Sequence, residues 1–391
     1  MAVSAADRVR PPERAAEPIR PSGPPLVHPS RPPRSAARRR ALTLTPLLAG
    51  SLLLLVGCGS SAGKARLGQT LVPIGAGLQG VAGLRATVYA RGPATTAGFA
   101  FDQRGRLWLT AAGLETHTHD GVYMVPKKGA RALKVIGALD NPLGIAWYRN
   151  KLYIASVGRV DAFGGFDGRQ FRQHTKILSG PVAGGENNLL VLAPNGRFVM
   201  GVTATCDHCV PTSKWSGSIV SFRPDGRGLR LYASRVRAAF GLAYFPGTSD
   251  LFATMNQRDD LGNATPGDWL SLVREGGDWG FPGCYGQGGK SCSGVPQPTA
   301  VLDKHGAAGG IAILTGELGT RVGTSAIVPE WNVGKVQRVA LSNSASSHNA
   351  SVTPFLRGIA KPLAIALAPD RSLLVGDWAT GTIYRIGGNA S

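Results

Sequence analysis

Apolar and polar positions along this chain fall into a repeated phrase: a short apolar stretch, a turn, and a second β-rich stretch. The copies begin at residues 98, 144, 190, 241, 310 and 364. Turns such as Asn195-Gly196 would reverse the chain between strands. Repeats spaced by roughly 45–55 residues with this content are typical of a β-propeller with one blade per repeat. The pattern therefore predicts an all-β, six-bladed β-propeller.

The two ends of the repeat region predict how the ring closes. A strand near residues 87–89 is expected to pair with the last blade at residues 382–386. No segment of helical period and useful length follows residue 60. Two β-sandwiches with a similar density of turns remain the alternative architecture.

One polar block, residues 255–292, interrupts the repeats and is too long for a hairpin turn. Its carboxylate and amide side chains are Asn256, Asp259, Asp260, Asn263 and Asp268. Such oxygens suit a hard cation such as calcium, which takes six to eight oxygen ligands. The alternative is a loop in which these side chains bond their own backbone. A second, weaker candidate for a metal is the pair His117 and His119, whose spacing would put both on one face of a strand.

Composition divides the chain into regions. Of its 391 residues, 54 are glycine and only 17% are charged, which suits many tight turns in one large β domain. Residues 1–40 are rich in proline and arginine and are expected to be a disordered arm. The net charge of +20 is otherwise spread thinly, without a basic stripe interleaved with aromatics. This distribution gives no support to nucleic-acid binding.

The segment before the repeats predicts export. Residues 41–58 combine an apolar run with a following cysteine, Cys58, in a context that resembles a bacterial lipobox. Lipidation of Cys58 would anchor the protein to a membrane, in the cell envelope or the periplasmic or extracellular space. An ordinary signal peptide with an incidental cysteine is the alternative. Residues 59–85 are then expected to be a linker and residues 86–391 the propeller.

The remaining cysteines agree with export because they are even in number and closely spaced. In an oxidising compartment, Cys206–Cys209 and Cys284–Cys292 are the simplest disulfide pairing. A zinc site of four cysteines, with His208 as a further ligand, is the competing hypothesis.

Several motifs follow one another along the repeats, at residues 142–146, 206–209, 222–226 with 231–234, 237–243, 256–262, 276–285, 361–362, 368–370 and 381–385. Taken in order, they resemble the soluble sugar dehydrogenases that use pyrroloquinoline quinone, the glucose/sorbosone dehydrogenase family. The resemblance covers most of residues 98–386. It implies a quinone lying flat over the propeller mouth, bound to calcium, with a small sugar as substrate and an electron acceptor that the sequence does not identify.

The resemblance also implies site residues. Cationic side chains would pair with the three carboxylates of the quinone, and Arg237, Lys335 and Lys361 stand at the matching positions. Asn187 is a further candidate for binding the cofactor. Calcium would be held in the polar block by Asn256, Asp259, Asp260 and Asp268.

The chain departs from the family where the catalytic histidine is expected. Residues 184–188 read Gly-Gly-Glu-Asn-Asn, so neither that histidine nor the arginine that often follows it is present. Glu186 could act as the general base, with a pKa tuned by burial and by calcium. His305 matches a second family histidine and is the other candidate. A third hypothesis is that the fold has been kept and catalysis lost.

Two other functions compete with sugar oxidation. Glu186 and Asn187 would suit a metal-dependent lactone hydrolase like the gluconolactonase propellers, whose metal is held by Glu, Asn and Asp side chains. A non-catalytic envelope propeller that binds sugars or proteins would require neither quinone nor metal.

Overall fold

The computed structural model describes residues 70–388 except 115, 181, 183–184, 286–291 and 342–349. The arm, the apolar run with Cys58 and most of the expected linker therefore lie outside the described residues. Within the described ranges there is no α-helix, only one 3₁₀ turn at Gly262–Ala264. No helix in this part of the chain is long and apolar enough to cross a membrane.

The strands before and within blades 1 and 2 are β1 (Val72–Gly75), β2 (Leu78–Gly80), β3 (Leu84–Arg91), β4 (Thr96–Phe101), β5 (Leu107–Ala111), β6 (Gly121–Val125), β7 (Leu133–Ile136), β8 (Gly144–Tyr148), β9 (Lys151–Ser156), β10 (Arg159–Phe166) and β11 (Phe171–Ser179). Blades 3 and 4 contain β12 (Asn187–Leu192), β13 (Phe198–Val202), β14 (Ser218–Phe222), β15 (Arg230–Ser234), β16 (Ala239–Tyr244), β17 (Leu251–Met255), β18 (Gly267–Val273), β19 (Gly277–Asp278) and β20 (Ala300–Lys304). Blades 5 and 6 contain β21 (Ala312–Thr315), β22 (Thr324–Glu330), β23 (Lys335–Ala340), β24 (Val352–Arg357), β25 (Pro362–Leu367), β26 (Leu373–Asp377) and β27 (Thr382–Gly388).

These strands form six sheets, so the predicted six-bladed β-propeller is confirmed. The blades are β4–β7, β8–β11, β12–β15, β16–β18 with β20, β21–β24, and β25–β27 with β3. The short strand β19 adds to blade 3 by parallel pairing with β15. In each blade the first strand is the innermost, and we call the end where these strands begin the mouth and the opposite end the far face.

The ring closes through the strand that the sequence pointed to. β3 pairs antiparallel with β27, with Val88 opposite Tyr384 and Thr87 opposite Arg385. The hairpin β1–β2 extends blade 5, because β2 pairs with β24. Residues 72–85, expected to be linker, therefore belong to the propeller: their apolar side chains pack into the core between blades 5 and 6.

The inner strands approach one another too closely at the mouth for side chains at some positions. A Cβ on Gly98, Gly144 or Gly241 would lie 2.7, 2.5 or 2.4 Å from the carbonyl oxygen of Leu143, Asn188 or Gly309 on the neighbouring element. This explains why several copies of the repeat begin with glycine. Farther along the channel, apolar segments of all six inner strands line a cavity of about 370 Å³.

Both predicted disulfides are present, Cys206–Cys209 and Cys284–Cys292. The competing four-cysteine zinc site is wrong, because these four sulfurs are joined in pairs rather than free as thiolates. Each bridge closes a loop at the mouth.

We expect removal of residues 1–92, which deletes β1–β3, to abolish the cooperative thermal unfolding of the propeller. Without β3, blade 6 loses its outer strand and β27 is left with an open edge. Circular dichroism during heating measures the effect. Removal of residues 1–69 is the matched control and should leave the transition unchanged, since every described strand remains. Equal melting curves for both truncations would contradict closure through β3.

Candidate functional site

A polar cavity of about 480 Å³ opens at the mouth, between the loops that lead into the inner strands of blades 3 to 5. It is lined by Glu186, Thr203, Arg237, Ala238, Phe240, Asn256, Gln257, Asp259, Asp268, His305, Ala307, Trp331 and Asn332. Phe240 and Trp331 rest on a buried apolar cluster that includes Leu143 and Leu363. The cavity therefore combines an aromatic base with acidic and amide walls, and its volume suits a small molecule.

Two carboxyl groups in this cavity are withdrawn from solvent, Asp268 almost completely and Glu186 in part. Desolvation raises the pKa of Glu186, which immediately precedes β12. Burial likewise raises the pKa of Asp268 to about 6, although its Oδ1 and Oδ2 accept hydrogen bonds from the backbone N–H groups of Gln257 (2.8 Å) and Ala308 (3.0 Å). A nearby positive charge would stabilise the ionised forms of both groups, which burial disfavours.

Two buried amide oxygens in the same wall lack a hydrogen-bond donor. Among the described residues, neither Asn256 Oδ1 nor Gln257 Oε1 has a partner. The Gln257 amide nitrogen, by contrast, donates to the carbonyl of Tyr285 at 3.0 Å. A buried acceptor without a partner is costly. Beside ionisable carboxylates, two such oxygens are what a hard cation would coordinate.

Arg237 lines the cavity as expected, but its guanidinium is already engaged by a residue that sequence reasoning missed. Its Nη2 donates to the carboxylate of Asp207, its Nε donates to the Asp207 carbonyl at 2.9 Å and its Nη1 donates to the Asn256 carbonyl at 3.0 Å. The Asp207 carboxylate also accepts from the backbone N–H groups of Asp259 (3.0 Å) and Asp260 (2.8 Å). Asp207 therefore ties Arg237 to the polar loop. Its position between Cys206 and Cys209 was the only indication in the sequence.

His305 also lines the cavity, but both of its ring nitrogens face acceptors. Nδ1 lies 2.6 Å from Asp259 Oδ1 and Nε2 lies 2.9 Å from the Gly262 carbonyl oxygen. The hydrogen bond to Asp259, together with that to Gly262, raises the pKa of His305. An imidazole held between two acceptors favours its protonated form, so His305 is better placed to stabilise the loop than to take a proton.

Four residues predicted for the site lie outside the cavity lining, and three of them are held by other partners. Lys335 forms ion pairs with Asp303 and, at 3.9 Å, with Glu330, so its charge is neutralised away from the cavity. Asp260 pairs with Arg258 instead of joining Asp259 and Asp268. Asn187 is fully buried and donates to the Ser156 carbonyl at 2.7 Å, joining blade 3 to blade 2. The structure therefore does not bring these three side chains to the cavity, because each is held by other partners. Asn263, in the 3₁₀ turn, is likewise exposed and absent from the lining.

Lys361 lies at the rim of the cavity. Its Nζ sits 4.2 Å from the centre of the Trp331 ring and 3.3 Å from Asn332 Oδ1. Among the described residues it has no carboxylate partner within ion-pair distance. It is therefore a cation available to an anionic group above Trp331.

The pair His117 and His119 does not form the metal site that its spacing suggested. His117 instead lies near Asp120 (3.0 Å) and Asp140 (3.6 Å), and the hydrogen bond to Asp120 raises its pKa. These three residues could hold an ion by distance alone. The hydrogen bond between His117 and Asp120, however, already accounts for their proximity.

The fold and the cavity together define a β-propeller whose mouth is acidic and offers oxygen ligands for a cation. No protein-family model and no curated protein sequence matches the chain. Among solved structures, it is similar to the aldose sugar dehydrogenase of Streptomyces coelicolor in its PQQ-bound form, with a TM-score of 0.65 at 19% identity over 79% of this chain and 99% of that one.

Two further structures show the same likeness. The soluble aldose sugar dehydrogenase of Escherichia coli in its apo-form has a TM-score of 0.64 at 14% identity, covering 78% of this chain and 100% of that one. The holo PQQ domain of pyranose dehydrogenase from Coprinopsis cinerea has a TM-score of 0.63 at 15% identity, covering 79% and 97%. The resemblance stated from the motifs is thus confirmed at the level of the fold.

We expect Asp207→Ala to lower the free energy of unfolding by about 1–3 kcal/mol, because Arg237 and two backbone N–H groups lose a charged acceptor. Urea unfolding measures the change. Asp225→Ala, which removes an exposed carboxylate from the far face, is the matched control and should have little effect. Equal stability of the two variants would contradict the role given to Asp207.

The raised pKa of Asp268 predicts that the free energy of unfolding depends on pH when a chelator keeps metal ions from the cavity. Its folded pKa of about 6 exceeds the unfolded value near 3.9, so the native state holds the extra proton between these pH values. Stability should therefore fall by on the order of 2–3 kcal/mol as pH rises from about 4 to 6. Urea unfolding at several pH values tests this. Asp268→Asn should flatten the slope and Asp225→Asn should keep it; an unchanged slope in Asp268→Asn would refute the assignment.

Proposed function

We propose that this protein is a quinone-dependent sugar dehydrogenase whose mouth cavity binds a divalent cation, best matched by calcium, and pyrroloquinoline quinone. The observation that carries the proposal is the pair of unpartnered, buried amide oxygens of Asn256 and Gln257 beside the carboxyl groups of Glu186, Asp259 and Asp268. Three proteins with a similar fold, two aldose sugar dehydrogenases and the PQQ domain of a pyranose dehydrogenase, support the proposal.

The donor set fits calcium. Among the described residues, the amide oxygens Asn256 Oδ1 and Gln257 Oε1 have no hydrogen-bond donor. The carboxylates of Asp259 and Asp268 supply negative charge. All are hard oxygen donors, and the cavity lining contains no cysteine, while both ring nitrogens of His305 already face other acceptors. A bound dication would also offset the burial penalty of Asp268 and Glu186.

The fit to the quinone depends on that cation. The lining has more carboxylates than cations, and Arg237 is paired with Asp207, so a tricarboxylate alone would be repelled. With a dication in place, Lys361 at the rim and Arg237 in the wall are the side chains that would bind the carboxylates of the quinone. Phe240 and Trp331 offer apolar faces for a flat ring system.

The bound quinone would supply the hydride acceptor. The chain would supply the base: Glu186, a carboxyl group in the cavity wall whose pKa is raised by desolvation, would take the proton of a sugar hydroxyl. Asn332 at the rim could hydrogen-bond other sugar hydroxyls. His305, held by Asp259 and Gly262, would keep the polar loop in place.

A metal-dependent lactone hydrolase is the second candidate, because Glu186, Asn256 and Asp268 in one cavity form a Glu, Asn and Asp set without any quinone. In this function the metal would polarise a lactone carbonyl and activate water. Lys361 and the aromatic base would then have no assigned role.

The proposed setting is the cell envelope or beyond, after export. The two disulfides are compatible with an oxidising compartment. Lipidation of Cys58, and a membrane as partner through it, remain predictions.

The test is reconstitution of purified protein with calcium and pyrroloquinoline quinone, followed by dye reduction with a panel of aldoses. We expect sugar-dependent reduction, and a fall in kcat of about 10²–10⁴-fold in Glu186→Gln, the range typical of losing a general base. Glu317→Gln, in the turn between β21 and β22 on the far face, is the control and should retain activity because it lies away from the mouth. His305→Ala should mainly weaken calcium binding.

Quinone binding without turnover would indicate a propeller that keeps its cofactor and has lost catalysis. Calcium-dependent lactone hydrolysis without quinone binding would replace the proposal with the second candidate. Failure to bind either ligand would leave a non-catalytic binding propeller.

A further inference from the structure

A second concavity lies at the far face, at the opposite end of the propeller from the cavity described above. It has a volume of about 550 Å³ and is lined by Tyr148, Arg149, Asn195, Gly196, Arg197, Arg223, Pro224 and Asp225. These residues belong to the β8–β9, β12–β13 and β14–β15 turns of blades 2 and 3. Three arginines thus share one concave surface with a single carboxylate.

The central arginine is held entirely by neutral acceptors. Arg197 Nε donates to Ser221 Oγ at 2.9 Å, and its Nη2 donates to the carbonyls of Ser221 at 3.1 Å and Gly228 at 2.5 Å. Burial lowers the pKa of Arg197, and the charges of Arg230 and Arg223 lower it further. The guanidinium is therefore fixed in position without a counter-charge.

The other two arginines are exposed and also lack a counter-charge. Arg223 approaches Arg197 closely: a Cβ on Gly228 would lie 3.5 Å from Arg197 Nη1 and 3.8 Å from Arg223 Nε. Arg149 lies over the Tyr148 ring at 5.1 Å. Among the described residues, none of the three has a carboxylate within ion-pair distance. Asp225 instead accepts from the backbone N–H of Arg227 at 3.0 Å.

Arginines recur around the far face, although carboxylates such as Asp167, Asp250 and Glu317 pair with some of its cations. Each blade places at least one arginine in its far-face turns: Arg104, Arg149, Arg197, Arg274, Arg321 and Arg371. The mouth is acidic by contrast.

We propose that Arg149, Arg197 and Arg223 bind phosphate groups of an anionic lipid surface, so that the far face rests on the membrane and the mouth faces away from it. Guanidinium groups match phosphate oxygens in shape and charge. Basic residues near an anionic bilayer each contribute favourably to its binding. This proposal does not depend on the activity of the mouth cavity.

The experiment is sedimentation of the full chain with vesicles, using Cys58→Ser in every sample to remove any acyl anchor. One set of vesicles contains about 30% phosphatidylglycerol and is anionic. The other set contains phosphatidylcholine alone and carries no net charge. Arg149→Gln/Arg197→Gln/Arg223→Gln should reduce binding to the anionic vesicles about tenfold to hundredfold. Arg149→Gln/Arg223→Gln, which spares the internal hydrogen bonds of Arg197, should show most of that loss.

The matched control is Arg172→Gln/Arg274→Gln/Arg371→Gln. It removes the same charge from the same face, but each of these arginines is paired with a carboxylate. Its binding should change by about twofold or less. Equal losses in the control and the cluster variant would overturn the proposal in favour of bulk charge. Saturable binding of inorganic phosphate by the cluster without vesicle binding would replace the lipid surface with a free phosphate ligand.

Discussion

The structure depends on how closely six inner strands can approach one another around a single axis. At the mouth, glycine is required where the backbone of the next element lies within 2.7 Å of a Cβ position, as at Gly98, Gly144 and Gly241. This convergence brings the loops before β12, β16 and β21 together, although they are far apart in sequence. Polar residues on those loops then share one cavity, and closure of the ring by β3 holds the arrangement.

Asp207 governs the electrostatics of that cavity. By pairing with Arg237 and accepting from the backbone of the polar loop, it fixes the loop but removes the cationic character of the one arginine in the wall. What remains is an acidic site with unpartnered amide oxygens. A dication satisfies these groups directly, and an anionic cofactor becomes acceptable only after the dication binds.

The sequence predicted the architecture well because its determinants are local and repeated. Apolar stretches, turns and glycines recur with each blade, and the closing strand could be recognised by its position before the first repeat. The hairpin at residues 72–80 was missed, because a strand that extends a blade from outside the repeat has no periodic copy to reveal it.

The site was predicted less completely, since side-chain partners depend on contacts across blades. Glu186, Asn256, Asp259, Asp268 and His305 do meet in one cavity. Lys335, Asp260 and Asn187 were predicted from a motif or a residue type. In the structure their side chains lie outside the cavity lining, where they contact Asp303, Arg258 and Ser156, respectively. Trp331 and Asp207 belong to the cavity and its support. Nothing in the local sequence distinguishes Trp331 from a core residue, and only the position between two cysteines marks Asp207.

A crystal structure of the protein soaked with calcium and pyrroloquinoline quinone would test the central claim most directly. The account predicts a cation at the mouth with Asn256 Oδ1 among ligands at about 2.3–2.6 Å. It also predicts the quinone above Phe240 and Trp331, with a carboxylate near Lys361. A mouth cavity that stays free of both ligands, or calcium bound only at His117, Asp120 and Asp140, would contradict the account.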